Sequence, residues 1–387
     1  MRILHVIPSL SMARGGPSIV LRQLMSGLAA QGHTVHAVAT DDDGPGSRLA
    51  VSHGTAIDDF GGTCFYFPRQ TRFYSFSWPL TNWLRHHIAE YDVVHIHALF
   101  SYPSTVAAWF ARRKRVPYLL RPLGTLAQWG LSSRRPWLKQ LSLMCIERPM
   151  LRGAAAVQTT SEQEKAETLA ACPECLAIVI PNPVAAPAEP LARPEPPPET
   201  ILFLSRIDPK KGLELLLNAF NLVAANAPRL RLVIAGDGEP SYVAQIHRLA
   251  GELPVQNRII FMGNVNAEQK RQLFAEADLF VLPSYSENFG VAVAEAMAHG
   301  VPVLISPHVG IHHDVVAAGA GRTAECAVEP LARALSELLI SPEQTSLEQL
   351  RRMGQNGRRL ALALYSPEAV ARQLIAAYTS ATERGKP

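Results

Sequence analysis

At 387 residues the chain is longer than one hydrophobic core usually supports, so its length points to two domains of ordinary size. Its hydrophobic share of 48% is that of a globular protein, and with no run of eighteen apolar residues a membrane-spanning helix is excluded. The net charge of +4 is unevenly divided: residues 1–186 carry 18 Lys+Arg against 12 Asp+Glu, a net of +6, and residues 187–387 carry 19 against 21, a net of −2.

Arg2 to Ile7 reads as a strand, too short for the apolar stretch of a secretory signal before Pro8, Arg14 and the Gly15-Gly16 pair, and the chain reads as cytoplasmic. Pro17 to Ala30 follows as a helix with apolar Val20, Leu21, Leu24 and Leu28, then strands at Thr34 to Ala39 and Val93 to His97. A helix near Pro103 to Arg113, a strand at Pro117 to Leu120, a helical stretch around Trp137 to Leu151 and a strand at Ala155 to Gln158 complete the first half. Its basic excess is local, in Arg112-Arg113-Lys114-Arg115 and in Arg134, Arg135 and Lys139 beside Trp129, Trp137, Leu138, Leu141 and Leu143. That mixture suits a helix lying on an anionic membrane as well as it suits a solvated helix end over ordinary core aromatics. Cys172 and Cys175 have the spacing of a redox or zinc half-site, but no second pair or nearby histidine completes it, so thiols without function are expected.

Between Pro181 and Pro198 the prolines remove donors and fix φ, which marks a linker over residues 185–199 between a domain at 1–184 and one at 200–365. Alternation then restarts: strands at Ile201 to Leu204, Leu230 to Ala235, Arg258 to Met262, Leu279 to Leu282 and Pro302 to Ile305. Helices lie between them at Leu213 to Val223, Tyr242 to Ala250, Ala267 to Ala275 and Gly290 to His299. Ser366 and Pro367 open a last amphipathic helix, within residues 366–387. Such alternation in both halves implies right-handed crossovers and two parallel, Rossmann-like sheets, an α/β protein.

Ligands of open parallel sheets bind beyond the carboxyl ends of the strands. After the first strand, Gly15 and Gly16 open a helix whose free amides suit an anion, although a tight turn that needs glycine explains them equally well. After Leu282 the chain reads Pro283-Ser-Tyr-Ser-Glu287-Asn288-Phe289-Gly290-Val291-Ala-Val-Ala-Glu295. Here a loop presents Glu287, amides near Gly290 and Val291 carry the positive end of a helix dipole, and Glu295 follows on the first turns. The combination suits a diphosphate and polyol hydroxyls.

This segment resembles the Glu-x-Phe-Gly-x-x-x-x-Glu motif of the retaining glycosyltransferases of family four, which have the GT-B fold, two Rossmann-like domains facing each other across a cleft. Leu204 to Gly212 resembles that family's phosphate clamp, and Ile234 to Glu239 its nucleotide-side glycine loop. The resemblance implies that Arg206 and Lys211 hold a diphosphate, and that Glu295 takes the ribose hydroxyls. Glu287 with Asn288, Phe289, Gly290 and Val291 would meet the donor sugar, Gly236 would flank the nucleotide, and Gly263, Asn264 and Val265 would lie beside the base. In the first half, Asp92 to His97 is similar to the family strand that ends in an active-site histidine; His97 lies nearer the carboxyl end than His95 and takes that role. Gly15 and Gly16 resemble the glycine loop near the donor phosphate, and Arg121 to Arg152 is similar to the members acting in exopolysaccharide assembly. The last helix of such enzymes packs back on the first domain.

The function implied is transfer of a hexosyl group from a nucleoside diphosphate sugar, UDP-linked before GDP-linked, to a glycan or lipid-linked saccharide, with retention and no cofactor or metal. Asp41-Asp42-Asp43, before Gly44-Pro45-Gly46, is expected to be solvated in a turn rather than to hold a metal. It also supports a rival, a nicotinamide oxidoreductase, against which the missing Gly-x-Gly-x-x-Gly argues. A non-catalytic sugar-binding subunit is the third reading, and no nucleic-acid partner is expected.

Overall fold

The computed structural model describes residues 1–44, 46–127, 136–187, 200–340 and 345–384. Two compact units result, one of Met1–Pro183 with Pro367–Pro387 and one of Val184–Ser366.

In the first unit the strands are β1 (Arg2–Ser9), β2 (Thr34–Thr40), β3 (Ile57–Asp59), β4 (Gly62–Phe67), β5 (Val93–His97), β6 (Tyr118–Arg121), β7 (Ala156–Thr159) and β8 (Ala177–Val179). They form one sheet in the order β3-β4-β2-β1-β5-β6-β7-β8, parallel throughout except for the β3–β4 hairpin. The central strands read as near-continuous apolar runs because helices cover both faces. Leu4, Val6, Val94, Ile96 and Leu120 are wholly buried in that core. Helix α1 (Gly16–Ala30) starts with Pro17 in its first turn, where the missing N–H costs nothing. α2 (Trp78–His87) and α3 (Tyr102–Lys114) begin at Ser77 and Ser101, whose hydroxyls accept from the amides three residues on. The stretch expected as one helix around Trp137 to Leu151 is α4 (Pro136–Ser142), a π turn at Leu143–Glu147 and α5 (Arg148–Gly153). α6 (Glu162–Ala171) precedes β8.

The second unit holds β9 (Thr200–Leu204), β10 (Arg231–Ala235), β11 (Ile259–Gly263), β12 (Leu279–Leu282), β13 (Val303–Ile305) and β14 (Gly321–Thr323), all parallel, in the order β11-β10-β9-β12-β13-β14. Between them run α7 (Leu213–Ala224), α8 (Pro240–Glu252), α9 (Ala267–Glu276), α10 (Val291–Ala298) and α11 (His312–Ala317), followed by α12 (Val328–Leu339) and α13 (Leu347–Leu360). Strand order reverses between β1 and β5 in one sheet and between β9 and β12 in the other, so each unit has a switch point where diverging crossovers leave a crevice.

The last helix, α14 (Pro367–Arg384), belongs to the first unit. It buries Val370, Leu374 and Tyr378 there, and the amide of Gln31 at the end of α1 donates to the Glu368 carbonyl at 3.1 Å. Residues 188–199 of the proline-rich stretch lie outside the described residues. Its residues up to Pro183 belong to the first unit and those from Val184 to the second, where the Val184 amide donates to the Tyr365 carbonyl (2.7 Å) and Arg358 to that of Pro187 (2.7 Å).

Candidate functional site

In the second unit the loops beyond the strand ends are fastened to one another across the sheet. The amides of Ser205 and Ile207, after β9, donate to the carbonyls of Ala235, which ends β10, and Asp237 beyond it, at 3.1 and 2.9 Å. The Gly236 amide reaches the Gly263 carbonyl at 2.8 Å. Across the switch point, the Tyr285 amide and the Ser284 hydroxyl both donate to the Lys210 carbonyl, at 2.8 and 2.9 Å. Glu287 bridges to the loop after β13, its amide donating to His308 (3.0 Å) and its carbonyl accepting from Gly310 (2.8 Å). Two glycines make this close weave possible. Gly236 has φ +132°, and a Cβ there would run into the Ser205 carbonyl; Gly290 has φ +91°, and a Cβ would stand 2.8 Å from a Val309 methyl.

That frame brings Lys211 and Glu287 together as a salt bridge, with side chains 12% and 18% exposed. Lys211 ends a 3₁₀ turn whose first amides are capped by Asp208, which accepts from Lys210 at 3.0 Å. Burial, with the charges of Arg206 and Lys210 behind it, pushes the Lys211 ammonium down to about 7, and Asp208 opposes the shift. Arg206 is exposed on the same loop. α10 begins at Val291 on Gly290, with no side chain capping its first amides, so the positive end of its dipole is left for an anion. Phe289 is buried against the Tyr365 ring, centroids 5.2 Å apart, which fixes the turn between Glu287 and α10. Asn288 is half-buried beside it. Glu295 sits on the second turn of α10, and its Oε1 accepts from Lys270 of α9 at 2.6 Å. Gly263 and Asn264 are exposed on the rim with half-buried Val265, and the Asn264 amide donates to Asp237 at 3.3 Å.

The switch point of the first unit is of another kind. Gly15, at φ +70°, caps α1 and Gly16 is its first residue, both beyond the end of β1. His97 ends β5, wholly buried, its Nε2 2.9 Å from Nδ1 of His5 on β1. His95 stacks on His97 at 4.3 Å and meets the Tyr378 hydroxyl of α14 at 2.7 Å through Nδ1. Burial holds all three imidazoles neutral: His5 is pushed down to about 3, by burial first and Arg121 second, and His95 and His97 lie well below the ordinary range for the same first reason. Arg121 is itself buried and is bonded to Asn182. Nδ1 of His97 and Nε2 of His5 and of His95 have no partner. Among the described residues these three histidines are the one cluster whose atoms are close enough to share a metal ion. The hydrogen bond between two of them and the Arg121 charge beside all three oppose a cation.

Two features escape sequence reading. Glu147 is buried in the π turn and accepts from Tyr74 (3.0 Å), Ser142 (3.2 Å) and the Phe100 amide (3.2 Å), and burial pushes its carboxyl upward. Around it Tyr74, Ser75, Ala98 and Phe100 all have positive φ, a concentration of strain beyond the ends of β4 and β5. Asp41 and Asp42 are not solvated, which corrects the expectation for that run. Both are buried: Asp42 is paired with Arg69, and Asp41 takes the Arg69 amide at 2.7 Å and His53 at 3.2 Å. Arg69, in the loop after β4, pairs with Asp42, and Arg48 lies 3.5 Å from Asp41, so each of the two adjacent carboxylates has a guanidinium beside it as it leaves water.

Comparison with known proteins gives two family matches, a glycosyl transferase 4-like domain over residues 15–183 and glycosyl transferases group 1 over residues 191–360. The D-inositol 3-phosphate glycosyltransferase of Mycolicibacterium smegmatis is 39% identical over 114 residues, 29% of this chain and 25% of that protein. The one from Streptomyces bingchenggensis is 30% identical over 250 residues, 59% of this chain and 54% of that protein. The chain thus spans between a quarter and about half the length of these curated relatives. Among solved structures, sucrose-phosphate synthase from Thermosynechococcus elongatus superposes with a TM-score of 0.73 at 24% identity, over 99% of this chain and 100% of that one. The Anabaena HepE protein in complex with UDP and glucose gives 0.74 at 19% identity, over 98% and 100%. With two parallel α/β units, each covered by its own family match, the chain belongs to the glycosyltransferases that join a 4-like domain to a group 1 domain in the GT-B fold.

Proposed function

We propose that the chain transfers a hexosyl group from a UDP-sugar to a glycan or lipid-linked saccharide, with retention and without a metal, in polysaccharide biosynthesis. The observation that carries this reading is the Lys211–Glu287 pair beside Arg206 at the switch point of the second unit. A diphosphate drawn to the bare end of α10 would take Lys211 and Arg206 as counter-charges, which neutralise the leaving group as its charge grows. Glu287, released from that pair, would accept from the sugar hydroxyls, and Glu295 from the ribose. The C1–O bond to the phosphate breaks as the acceptor oxygen approaches C1 from the same face. The acceptor proton passes to the departing phosphate oxygen, so the protein's task is to position and neutralise. UDP is favoured because the HepE structure is a complex with UDP and glucose. Membership of the family leaves no place for a nicotinamide oxidoreductase, and the intact charged cluster argues against a non-catalytic subunit.

UDP-glucose and GDP-mannose incubated with the chain, a panel of glycan and lipid-linked saccharide acceptors and excess chelator, the anomer of the new glycosidic bond read by NMR, provide the test. Release of UDP with an α-configured product is expected, and strict dependence on an added divalent metal or an inverted product would overturn the corresponding part.

The reading includes a cytoplasmic chain resting on an anionic membrane. Trp137, Leu141 and Met144, at 67%, 56% and 62% exposure, recur at i, i+4 and i+7 along α4 and the π turn, where Lys139 also lies. Trp129, Arg134 and Arg135 lie outside the described residues, and no described helix is long and apolar enough to cross a membrane. Sedimentation with phosphatidylglycerol vesicles, absent with phosphatidylcholine and lost in Trp137→Ser/Leu141→Ser, is the expected result.

A further inference from the structure

The two helices that flank the proposed ribose site are joined by two rungs. Lys270 and Phe274 are four residues apart on α9 and so share a face; Glu295 on α10 and His299, which caps that helix's C-terminus, are spaced alike. Lys270 Nζ donates to Glu295 Oε1 at 2.6 Å, and the Phe274 ring stacks on the His299 ring at 4.7 Å. Both ends of the ladder are held. Asn266 and Gln269 form a reciprocal capping box at the start of α9, and the His299 ring donates back to the Glu295 carbonyl at 2.8 Å. Lys270, normally a mobile four-carbon stem, therefore reaches Glu295 from a fixed base.

We infer that Lys270 is a positioning residue for recognition of the nucleotide ribose: it engages Oε1 of Glu295 and turns Oε2 toward the sugar diol. This rests on the reading of Glu295 as the ribose ligand. A carboxylate has two oxygens and about four acceptor directions. An unrestrained Glu295 would spread them over several rotamers, and binding a diol would have to fix the side chain at that moment. With Oε1 held by an ammonium, the remaining oxygen has one orientation, and the counter-charge limits the cost of keeping the side chain 87% out of solvent, at 13% exposure. Glu295 then distinguishes nucleotides that carry ribose hydroxyls from those that lack them, and Lys270 sets how sharply. The Phe274–His299 rung keeps the helices in register without touching the carboxylate, so loss of the Lys270 charge need not move α10.

The test is calorimetric binding of UDP and of 2′,3′-dideoxy-UDP to the full chain, with GDP and its dideoxy analogue in parallel. Wild type should prefer the ribonucleotide. Lys270→Met should weaken UDP about tenfold, some 1.4 kcal/mol, leave dideoxy-UDP unchanged, and melt within a few degrees of wild type; Lys270→Arg should restore most of the preference. The double variant Lys270→Met/Glu295→Gln should bind no more weakly than Glu295→Gln alone. Equal weakening of both nucleotides by Lys270→Met would overturn the proposal, since it would mean a direct charge effect on the diphosphate. Unchanged UDP binding in Lys270→Met, or additive effects in the double variant, would overturn it too. The underlying reading fails separately: a Glu295→Gln variant that binds UDP as wild type removes Glu295 from the ribose, whatever Lys270 does.

Discussion

Both sheets reverse their strand order at one point, and the two switch points have opposite electrostatics. In the first unit the strands β1, β5 and β6 bring three imidazoles and the Arg121 guanidinium together out of reach of water. In the second, the loops after β9 and β12 bring an ammonium and a carboxylate together where both retain some exposure. The first arrangement freezes protonation: burial first, with the Arg121 charge behind it, keeps the histidines neutral across the physiological range. The second leaves charges that a ligand can reclaim. The same topology thus supplies either a fixed hydrogen-bonding surface or an exchangeable ion pair, and what decides is whether the polar groups stand on the strands or on the loops beyond them.

The largest effect expected from this contrast is on the exchangeable side. Arg206→Ala and Lys211→Ala should each lower transfer by about a hundredfold or more, because they remove charge stabilisation of the leaving group; exposed Arg206→Ala should melt as wild type, whereas Lys211→Ala strips Glu287 of its ion-pair partner and should melt lower. Near-wild-type turnover in either variant would break the comparison.

On the frozen side the expected effect is on stability. A histidine whose folded pKa is depressed is stabilising in its neutral form above its unfolded pKa, near 6.5, and that stability is lost as pH falls toward the folded value, about 3 for His5. His5 alone should cost about 1.4 kcal/mol per pH unit over that window, with His95 and His97 adding in the same direction. Melting temperature followed from pH 7.5 to 4.5 should drop steeply below 6.5. His5→Asn should have the shallower dependence, and equal slopes would show that the cluster does not bear the acid lability.

The smallest effect sharpens the comparison. Because the unliganded Lys211 ammonium is pushed down to about 7, a diphosphate that raises it must take up a proton above that pH. UDP affinity should decline as pH rises from 7 through 8 and 9, where the terminal phosphate is already fully ionised. Calorimetry in buffers of different ionisation enthalpy should show proton uptake that Lys211→Arg abolishes. A flat profile would place Lys211 outside the diphosphate contact.

Much of the fold was legible because buried parallel strands alternate with amphipathic helices, and each strand announces its end with Pro, Gly or a polar residue. Leu279 to Leu282 followed by Pro283 is such a case, and it locates the Glu287 loop at a carboxyl edge. Short pieces such as β3, with three residues, carry too little pattern to stand out. Pairings across the sheet are also hidden. Nothing local to His5 says that β1 and β5 are neighbours and will set it against His97, 92 residues away. Asp41 and Asp42 look solvated beside Gly44 and Gly46 because Arg69, whose guanidinium pairs with Asp42 and whose amide donates to Asp41, comes from a distant loop. Lys270 reads as one charge among several on α9 until the register of α9 against α10 is known.

The return of α14 to the first unit bears on how the chain is made. Domains generally fold as units during synthesis, the N-terminal one first. Here the contiguous unit is the later one, Val184–Ser366, and it has its whole sheet before Pro367 leaves the ribosome. The first unit emerges earlier but waits, with the groove for Val370, Leu374 and Tyr378 uncovered, until the final helix arrives. Until then His95 has no hydroxyl on Nδ1, and a buried polar atom lacks its partner. Completion of the histidine cluster is therefore among the last events of biogenesis, and a nascent chain halted between Ser366 and Tyr378 holds a complete second unit and an unfinished first.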